Sequence, residues 1–261
     1  MRKPMQGVVT RGSLARLSGD VASLEATAPS TTYDGDYSRE QFDEMILRDD
    51  FTVGHAIGFS ESFWLFGNAN NGSVGSSISP GRIGILSLST GGIGSGGFVR
   101  YSKSPTFAST MSFYELESEI AIIEQPTGTQ KMEAFFGFST QTDGDIATGN
   151  WYGFIQRYDT NQDHWCVYVK KSGGSAFYLP VGPAITFSNL GYIRLKIKRD
   201  AGTIYFYVNN VLVHSFVITG DPYFANSSYA PLYHIKKTLG TSAIRMFVDW
   251  IYGRFRPTRP T

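Results

Sequence analysis

The segment from Tyr192 to Arg199 alternates apolar and basic side chains without interruption, and this pattern constrains the fold more than any other feature. Successive side chains of a β-strand point to opposite faces, so Ile193, Leu195 and Ile197 are predicted to lie on one buried side. Further segments that favour strands are 113–122, 131–139, 151–158, 164–170, 203–208, 211–217, 232–236 and 243–252. Strands of this length between Gly, Asn and Asp turns predict an all-β fold, a two-sheet antiparallel jelly-roll sandwich.

The composition agrees with such a fold and excludes several classes of partner. Hydrophobic residues make up 41% of the 261 residues and aromatic residues 15%, which is ample material for one large core. The net charge of +1 gives no electrostatic basis for binding nucleic acid. The single cysteine, Cys166, excludes an intrachain disulfide and a cysteine-based zinc site.

The sequence contains no apolar run long enough to cross a bilayer, so we expect no membrane partner. The N-terminus also lacks the apolar stretch of a signal peptide. We therefore expect synthesis in a cytosol without standard export. A virion component, which is released by lysis, satisfies both conditions.

Residues 1–48 differ in pattern from the rest and are predicted to form an N-terminal attachment segment with short helices. The spacing of the apolar residues Leu14, Leu17, Val21 and Leu24 is that of a coiled-coil seam. Two heptads do not hold a coiled coil alone, so a single amphipathic helix packed on another surface is the alternative. Either structure requires a partner surface, and the seam favours a homo-oligomer, preferably a trimer.

A second helix is predicted to begin at Ser38, because a Gln three residues later completes a capping box. Phe42, Met45 and Ile46 would give this helix one apolar face, and it is expected to end near residues 48–50. The sandwich is then predicted to span residues 49–261.

Three motifs resemble the concanavalin A-like lectin/glucanase jelly roll. The strand pair Ile193–Leu212 is similar to that family's motif of a strand, a turn and a strand ending in V-N-G-x-x-V. Met246–Tyr252 resembles the closing strand V-D-W-I-x-V, and Asp49–Phe51 resembles the D-D-F at which such domains begin. The resemblance implies the fold rather than an activity. With the N-terminal segment, the layout also resembles appendage or decoration proteins of tailed-phage virions.

Glu115, Glu117 and Glu119 alternate along one predicted strand and therefore share one face. Glycoside hydrolases of the resembled family place acidic residues in this way, in the pattern E-x-D-x-(x)-E, within a concave groove. Here a Glu stands where that pattern has its central Asp, and the surrounding Trp and Met residues are missing. The alternative interpretation is a solvated strand face whose charges discourage edge pairing.

Trp151, Tyr152 and Trp165 lie in one predicted hairpin and are the candidate glycan-binding residues. Aromatic rings bind sugars because the apolar face of a pyranose stacks on a ring. The alternative is ordinary core packing, which uses most aromatic residues of a sandwich.

No metal or cofactor is expected. The four histidines are scattered, without the spacing of a ligand set. The acidic turns 143–145 and 159–163 could supply oxygen ligands to calcium, but neither has the full EF-hand arrangement, and plain turns are the preferred interpretation.

The sequence therefore predicts a virion structural protein, namely a phage fibre, appendage or capsid-decoration module, that is not an enzyme. Its N-terminal segment would bind other virion proteins, and its lectin-like domain would bind host surface glycans. The alternatives are a glycoside hydrolase that uses the Glu115, Glu117 and Glu119 row, and a carbohydrate-binding module of a larger enzyme.

Overall fold

The computed structural model describes most of the chain after residue 44, in ten segments and one isolated residue. These are 45–49, 64–69, 72–79, 82–91, 98–103, 113–140, 148–158, 161–188, 190–221, 224 and 229–256. The chain divides into two compact units, Met1–Asp43 and Glu44–Thr261. The first unit, with the predicted seam at Leu14, Leu17, Val21 and Leu24, lies outside the described residues.

The described residues include fifteen β-strands. They are β1 (Met45–Asp49), β2 (Trp64–Ala69), β3 (Ser73–Ser79), β4 (Arg82–Ser89), β5 (Phe98–Lys103), β6 (Phe113–Ile122), β7 (Lys131–Ser139), β8 (Trp151–Arg157), β9 (Asn161–Lys170), β10 (Phe177–Val181), β11 (Ile193–Asp200), β12 (Thr203–Val208), β13 (Val211–Val217), β14 (Ala230–Leu239) and β15 (Arg245–Arg256). The predicted two-sheet jelly-roll sandwich is confirmed.

The strands form two antiparallel sheets. The first sheet has the order β13-β12-β11-β6-β15-β4-β3, and β1 also pairs with β15. The second sheet has the order β10-β9-β8-β7-β14-β5-β2. Neighbours such as β11 and β6 are distant in sequence, so long-range pairings hold each sheet together.

The alternation read from the sequence is visible in the burial of β11. Ile193, Leu195 and Ile197 are buried, whereas Arg194 and Lys196 between them are partly exposed. The apolar side of this strand therefore faces the core and its basic side faces outward.

The helix predicted to start at Ser38 does not extend to residue 48. Met45–Asp49 form strand β1, which pairs with Ile251–Phe255 of β15. Hydrogen bonding to a neighbouring strand overrides the local helical pattern, because five residues gain more from completing a sheet than from one helical turn. The expected domain start at residue 49 is therefore too late by at least four residues.

The main core lies between the sheets and takes side chains from both. It includes Leu86, Leu116, Ile120, Phe136, Phe154, Trp165, Leu195, Ile197, Phe206, Tyr233, Met246 and Phe255, all at most 1% exposed. Apolar burial on this scale is the principal favourable term for a sandwich of this kind.

A hydroxyl pair connects the two sheets inside this core. Tyr114 of β6 donates a hydrogen bond to the hydroxyl of Tyr152 of β8. Burial raises the pKa of Tyr114 to about 12 despite the nearby Arg199 guanidinium, so the phenol keeps its proton at neutral pH. Both hydroxyls of this pair are thus hydrogen-bonded within the apolar interior.

A second buried cluster lies on the opposite side of the second sheet. Gly137 of β7 and Gly153 of β8 face each other across the ladder, and the ring of Phe135 covers both. A Cβ at Gly137 would stand 2.4 Å from the carbonyl oxygen of Tyr152, and one at Gly153 would stand 2.3 Å from that of Phe136. The close approach of the two backbones requires glycine at both positions.

Strand β13 ends the first sheet and presents apolar side chains at that edge. Val211, Leu212 and Val217 are 64%, 51% and 68% exposed, and the strand carries no Lys, Arg, Asp, Glu or Pro. Its His214 stacks on Phe177 of β10, the terminal strand of the second sheet, at 5.3 Å between ring centroids. This contact places the two terminal strands at the same side of the sandwich.

The structure also bears on the single cysteine and on the expectation of no membrane partner. Cys166 is a free thiol buried in the second cluster. Among the described residues, none belongs to a helix with the length and apolar character needed to cross a membrane.

The glycine pair yields a stability prediction. We expect Gly153→Ala to lower the free energy of unfolding by about 1–3 kcal/mol, because the added methyl must displace backbone rather than a flexible side chain. Gly75→Ala in β3 is the matched control, since nothing lies within 4 Å of its added Cβ, and it should change stability by less than about 0.5 kcal/mol. Urea unfolding of both variants gives the comparison, and equal stabilities would contradict the packing described.

Candidate binding face

The predicted carboxylate row lies on the outward side of the first sheet. Strand β6 is central there, between β11 and β15. Across the ladder Glu115 is opposite Lys198 and Arg254, and Glu117 is opposite Lys196. We call this outward surface the charged face, and its members are Arg82, Glu115, Glu117, Glu119, Arg194, Lys196, Lys198, Asp249 and Arg254.

Two carboxylates of the row are held by cations, Glu115 from both neighbouring strands and Glu117 from β11. Lys196 Nζ lies 2.6 Å from Glu115 Oε1 and 3.7 Å from Glu117 Oε2. Arg194 also donates to Glu117, and Arg254 Nη2 lies 3.5 Å from Glu115 Oε2. The side chains of Glu115 and Glu117 are only 9% and 5% exposed, so the cations cover the carboxylates.

The third carboxylate belongs to a separate group centred on Arg82 of β4. Arg82 Nη1 donates to Glu119 Oε2 at 2.6 Å and also to Asp249. The guanidinium stacks on Tyr192, with Cζ 4.0 Å from the ring centroid. Burial raises the pKa of Asp249, and the attraction of Arg82 opposes that rise. Arg82 therefore joins two carboxylates and an aromatic ring.

The interpretation of the row as a solvated strand face is wrong. β6 is not an edge strand, and the carboxylates of Glu115 and Glu117 are covered rather than solvated. The alternation along β6 correctly predicted that the three carboxylates share a side, but the distant strands β11 and β15 supply their partners. The ion pairs therefore connect β11, β6 and β15 on this side of the sheet.

Partly exposed aromatic rings lie among these ion pairs. They are Tyr192, Tyr205, Tyr207, Trp250 and Tyr252. Arg194 Cζ lies 5.2 Å from the Trp250 ring centroid, and Lys196 Nζ lies 5.8 Å from that of Tyr207. Each of these cations contacts a carboxylate and a ring together, so the rings and charges form one ordered surface.

Trp250 reaches this surface because of an irregularity in β15. The register between β15 and β6 shifts between Val248 and Ile251. Both of those residues are buried in the core, and the two residues between them, Asp249 and Trp250, interact with Arg82 and Arg194 on the charged face. A β-bulge of this kind re-aims side chains, and it was not readable from the sequence.

The aromatic residues that the sequence favoured for glycan binding are all buried. Tyr152 and Trp165 belong to the core between the sheets, and Trp151 belongs to the second cluster, with exposures of 0%, 1% and 0%. Trp151 donates its indole N–H to the carbonyl of Thr148. No ring face of these three residues is open to a sugar, so the prediction is wrong. The three rings pack in the buried clusters instead.

The described residues contain no group of three or more His, Cys, Asp or Glu side chains that could hold a metal ion. Of the two acidic turns, 143–145 lies outside these residues. From the other predicted turn, Asp163 lies in strand β9 instead. It is exposed and pairs with His164 at 2.8 Å, and the hydrogen bond from this imidazole lowers the pKa of Asp163.

Known proteins resemble this chain in structure and not in sequence. No protein-family model matches the sequence, and no curated protein matches it. The catalytic domain of an endo-1,3-beta-glucanase (laminarinase) from Thermotoga petrophila is 13% identical with a TM-score of 0.56, covering 82% of this chain and 98% of its own. The Emp46p carbohydrate recognition domain is 10% identical with a TM-score of 0.54, covering 78% and 94%. A Shewanella oneidensis protein of unknown function is 14% identical with a TM-score of 0.55, covering 100% of both chains.

These likenesses establish the concanavalin A-like fold, which is compatible with glycan binding. They also correct the expectation that the chain is not an enzyme. Glycoside hydrolase catalytic domains recur among the similar structures, including an endo-glucanase from Bacteroides ovatus, so this architecture does not separate a lectin from a hydrolase. None of them supports the expected virion context.

The ion pairs of the charged face yield a second stability prediction. We expect Glu117→Gln to lower the free energy of unfolding by about 1–3 kcal/mol, because Arg194 and Lys196 lose a covered carboxylate. Asp200→Asn removes the exposed pair with Lys198 and should cost less than about 0.5 kcal/mol. Thermal and urea unfolding would measure both, and a neutral Glu117→Gln would contradict a structural role for the pair.

Proposed function

We propose that the sandwich binds carbohydrate on the charged face, with Trp250 and Tyr207 as its stacking rings. The observation that supports this is a set of partly exposed rings held among ion pairs, on a fold shared with a carbohydrate recognition domain. The site that we propose lies on β11, β12 and β15 instead of on the β8–β9 hairpin.

The chemistry of the face suits a sugar. A pyranose has an apolar face that stacks on an aromatic ring, and hydroxyls at its rim that bond to planar charged groups. Arg194 is already fixed by Glu117 and by the Trp250 ring. Little side-chain freedom remains to be lost when a ligand binds, and such pre-organisation favours affinity.

We further propose that residues 1–48 attach this binding module to a larger particle, a phage virion in which it serves as a fibre, appendage or decoration protein. The support is the heptad spacing of Leu14, Leu17, Val21 and Leu24, which requires a partner surface. A carbohydrate-binding module fits the outside of such a particle, where host surface glycans are the first contact. Electron microscopy of purified particles with antibody against the chain tests this location.

Glycoside hydrolysis is the second candidate function. It is favoured by the likeness to endo-glucanases and by the position of Glu115 and Glu117, which both lie within 4 Å of Lys196 Nζ. Hydrolysis of a glycosidic bond uses two neighbouring carboxyl groups. In this candidate, substrate binding must displace Lys196 before the carboxylates can act.

Removal of one ring tests the binding site. We expect Trp250→Ala to weaken binding to a polysaccharide identified on a glycan array by at least about tenfold, or about 1.4 kcal/mol, because the sugar loses its stacking surface. Tyr158→Ala is the matched control, since Tyr158 is also partly exposed beneath a cation, Lys131, but lies beside the second sheet. Isothermal titration of both variants gives the comparison. Equal losses, or no loss in Trp250→Ala, would contradict the site.

Reducing ends measured after the protein is incubated with the same polysaccharide distinguish binding from cleavage. Release of reducing sugar that Glu115→Gln abolishes, with Asp200→Asn as the active control, would support the hydrolase. Binding without release would support the lectin-like role.

Disruption of the apolar stripe tests the attachment segment. We expect the full chain to be a homo-oligomer, preferably a trimer, and the double variant Leu17→Asp, Leu24→Asp to be a monomer, because two charges per chain would enter the seam. Light scattering after size-exclusion chromatography measures the mass. The double variant Arg16→Asp, Ser18→Asp, between the seam positions, is the control and should remain oligomeric. A monomeric wild-type chain would contradict the seam.

A further inference from the structure

Four of the partly exposed rings on the charged face form two aromatic borders. Tyr205 and Tyr207 form one border on β12, and Trp250 and Tyr252 form the other on β15. In the first sheet, strands β11 and β6 lie between β12 and β15. The two aromatic borders are therefore separated by two strands that carry ion-paired side chains.

One row of residues across the strands joins the two aromatic borders. In this row Tyr207 is opposite Lys196, which is opposite Glu117. Glu117 is in turn opposite Tyr252, and Trp250 lies two residues from Tyr252 in the same border. Neighbouring strands are about 4.8 Å apart, so three steps separate the borders by about 14 Å. A single sugar ring that stacks on Tyr207 therefore cannot reach Trp250.

The side chains between these two rings are held in place and can donate hydrogen bonds. Arg194 donates to Glu117, and its Cζ lies 5.2 Å from the Trp250 centroid. Lys196 Nζ lies 3.7 Å from Glu117 Oε2 and 5.8 Å from the Tyr207 centroid. A guanidinium has five N–H donors, so Arg194 can also donate to a sugar hydroxyl while it remains bonded to Glu117. One carboxylate thus holds the cations that contact both rings.

We propose that the charged face binds a linear glycan that lies across β12, β11, β6 and β15, with sugars of one chain stacked on Tyr207 and on Trp250. The inference rests on the proposed carbohydrate-binding function and specifies its ligand class, which is an extended chain and not a single terminal sugar. Once one sugar is bound, the next contact forms at a high effective concentration, so two weak contacts act together. Affinity is therefore expected to depend on chain length.

Binding measured against chain length tests this inference. The probes are cello-, laminari-, xylo- and manno-oligosaccharides of one to six sugars. They are presented first on a glycan array that also carries branched and single-sugar glycans, and are then titrated calorimetrically into the full chain. We expect the hexasaccharide of the bound series to bind at least about tenfold more tightly than its disaccharide, because only the longer chain contacts both rings.

Substitution of either ring should remove this dependence on length. Tyr207→Ala and Trp250→Ala should each lower hexasaccharide affinity to about that of the disaccharide, and change disaccharide affinity by less than about threefold, because one ring remains. Tyr205→Ala is the matched control, since Tyr205 also lies on β12 with a cation, Lys198 Nζ, 6.0 Å from its centroid. The row of Tyr205 ends on β15 at Arg254 instead of a ring, so this variant should keep the dependence.

The outcomes separate this inference from the proposed function. Equal affinity for disaccharide and hexasaccharide, or binding to single-sugar or branched glycans alone, overturns the extended site and leaves carbohydrate binding intact. A length dependence that survives Tyr207→Ala or Trp250→Ala does the same. Absence of binding to every glycan overturns the carbohydrate function and the inference with it. The length series uses the unaltered chain, so it decides the question even if a variant fails to fold.

Discussion

The ion pairs of the charged face are the constraint on which the first sheet depends. Glu115 and Glu117 are almost fully covered, and a covered carboxylate is costly unless cations hold it. Cations of β11 hold both of them, and Arg254 of β15 contacts Glu115 from the other side, so the partners come from strands far apart in sequence. Another strand beside β6 would leave a covered carboxylate with fewer cations, a cost that depends on which strands are neighbours, whereas apolar packing is non-directional.

Much of the fold could be predicted from the local alternation of apolar and polar residues. In a strand with one buried face every second residue is apolar, so the sequence shows which side faces the core. Ile193, Leu195 and Ile197 faced the core as expected. Strand β1 was missed because its pairing with β15 is a long-range effect, and Met45 and Ile46 fit one helical face equally well. The local sequence of a segment does not show which distant strand has an unpaired edge with which the segment can form hydrogen bonds.

The candidate site was harder to predict, for a related reason. Alternate residues of a strand point to opposite sides of the sheet, and this decides whether a ring lies in the core or outside. The sequence did not show to which side Trp151 and Trp165 point, and both are buried. Trp250 lies in the motif that indicated the fold, yet only the bulge beside it determines that its ring contacts Arg194 on the outside. Likewise, Arg194 of β11 and Trp250 of β15 belong to different strands, so only the folded sheet brings them together.

The glycine pair in the second sheet has a consequence for how the sequence can vary. Gly137, Gly153 and Phe135 fill one volume, with a single ring occupying the space of two absent side chains. A smaller residue at 135 would leave a void over both glycines, whereas a Cβ at 137 or 153 would meet backbone atoms before it met the ring. Loss of the ring would therefore not admit a side chain at either glycine, so the backbone itself fixes two positions that lie sixteen places apart along the chain.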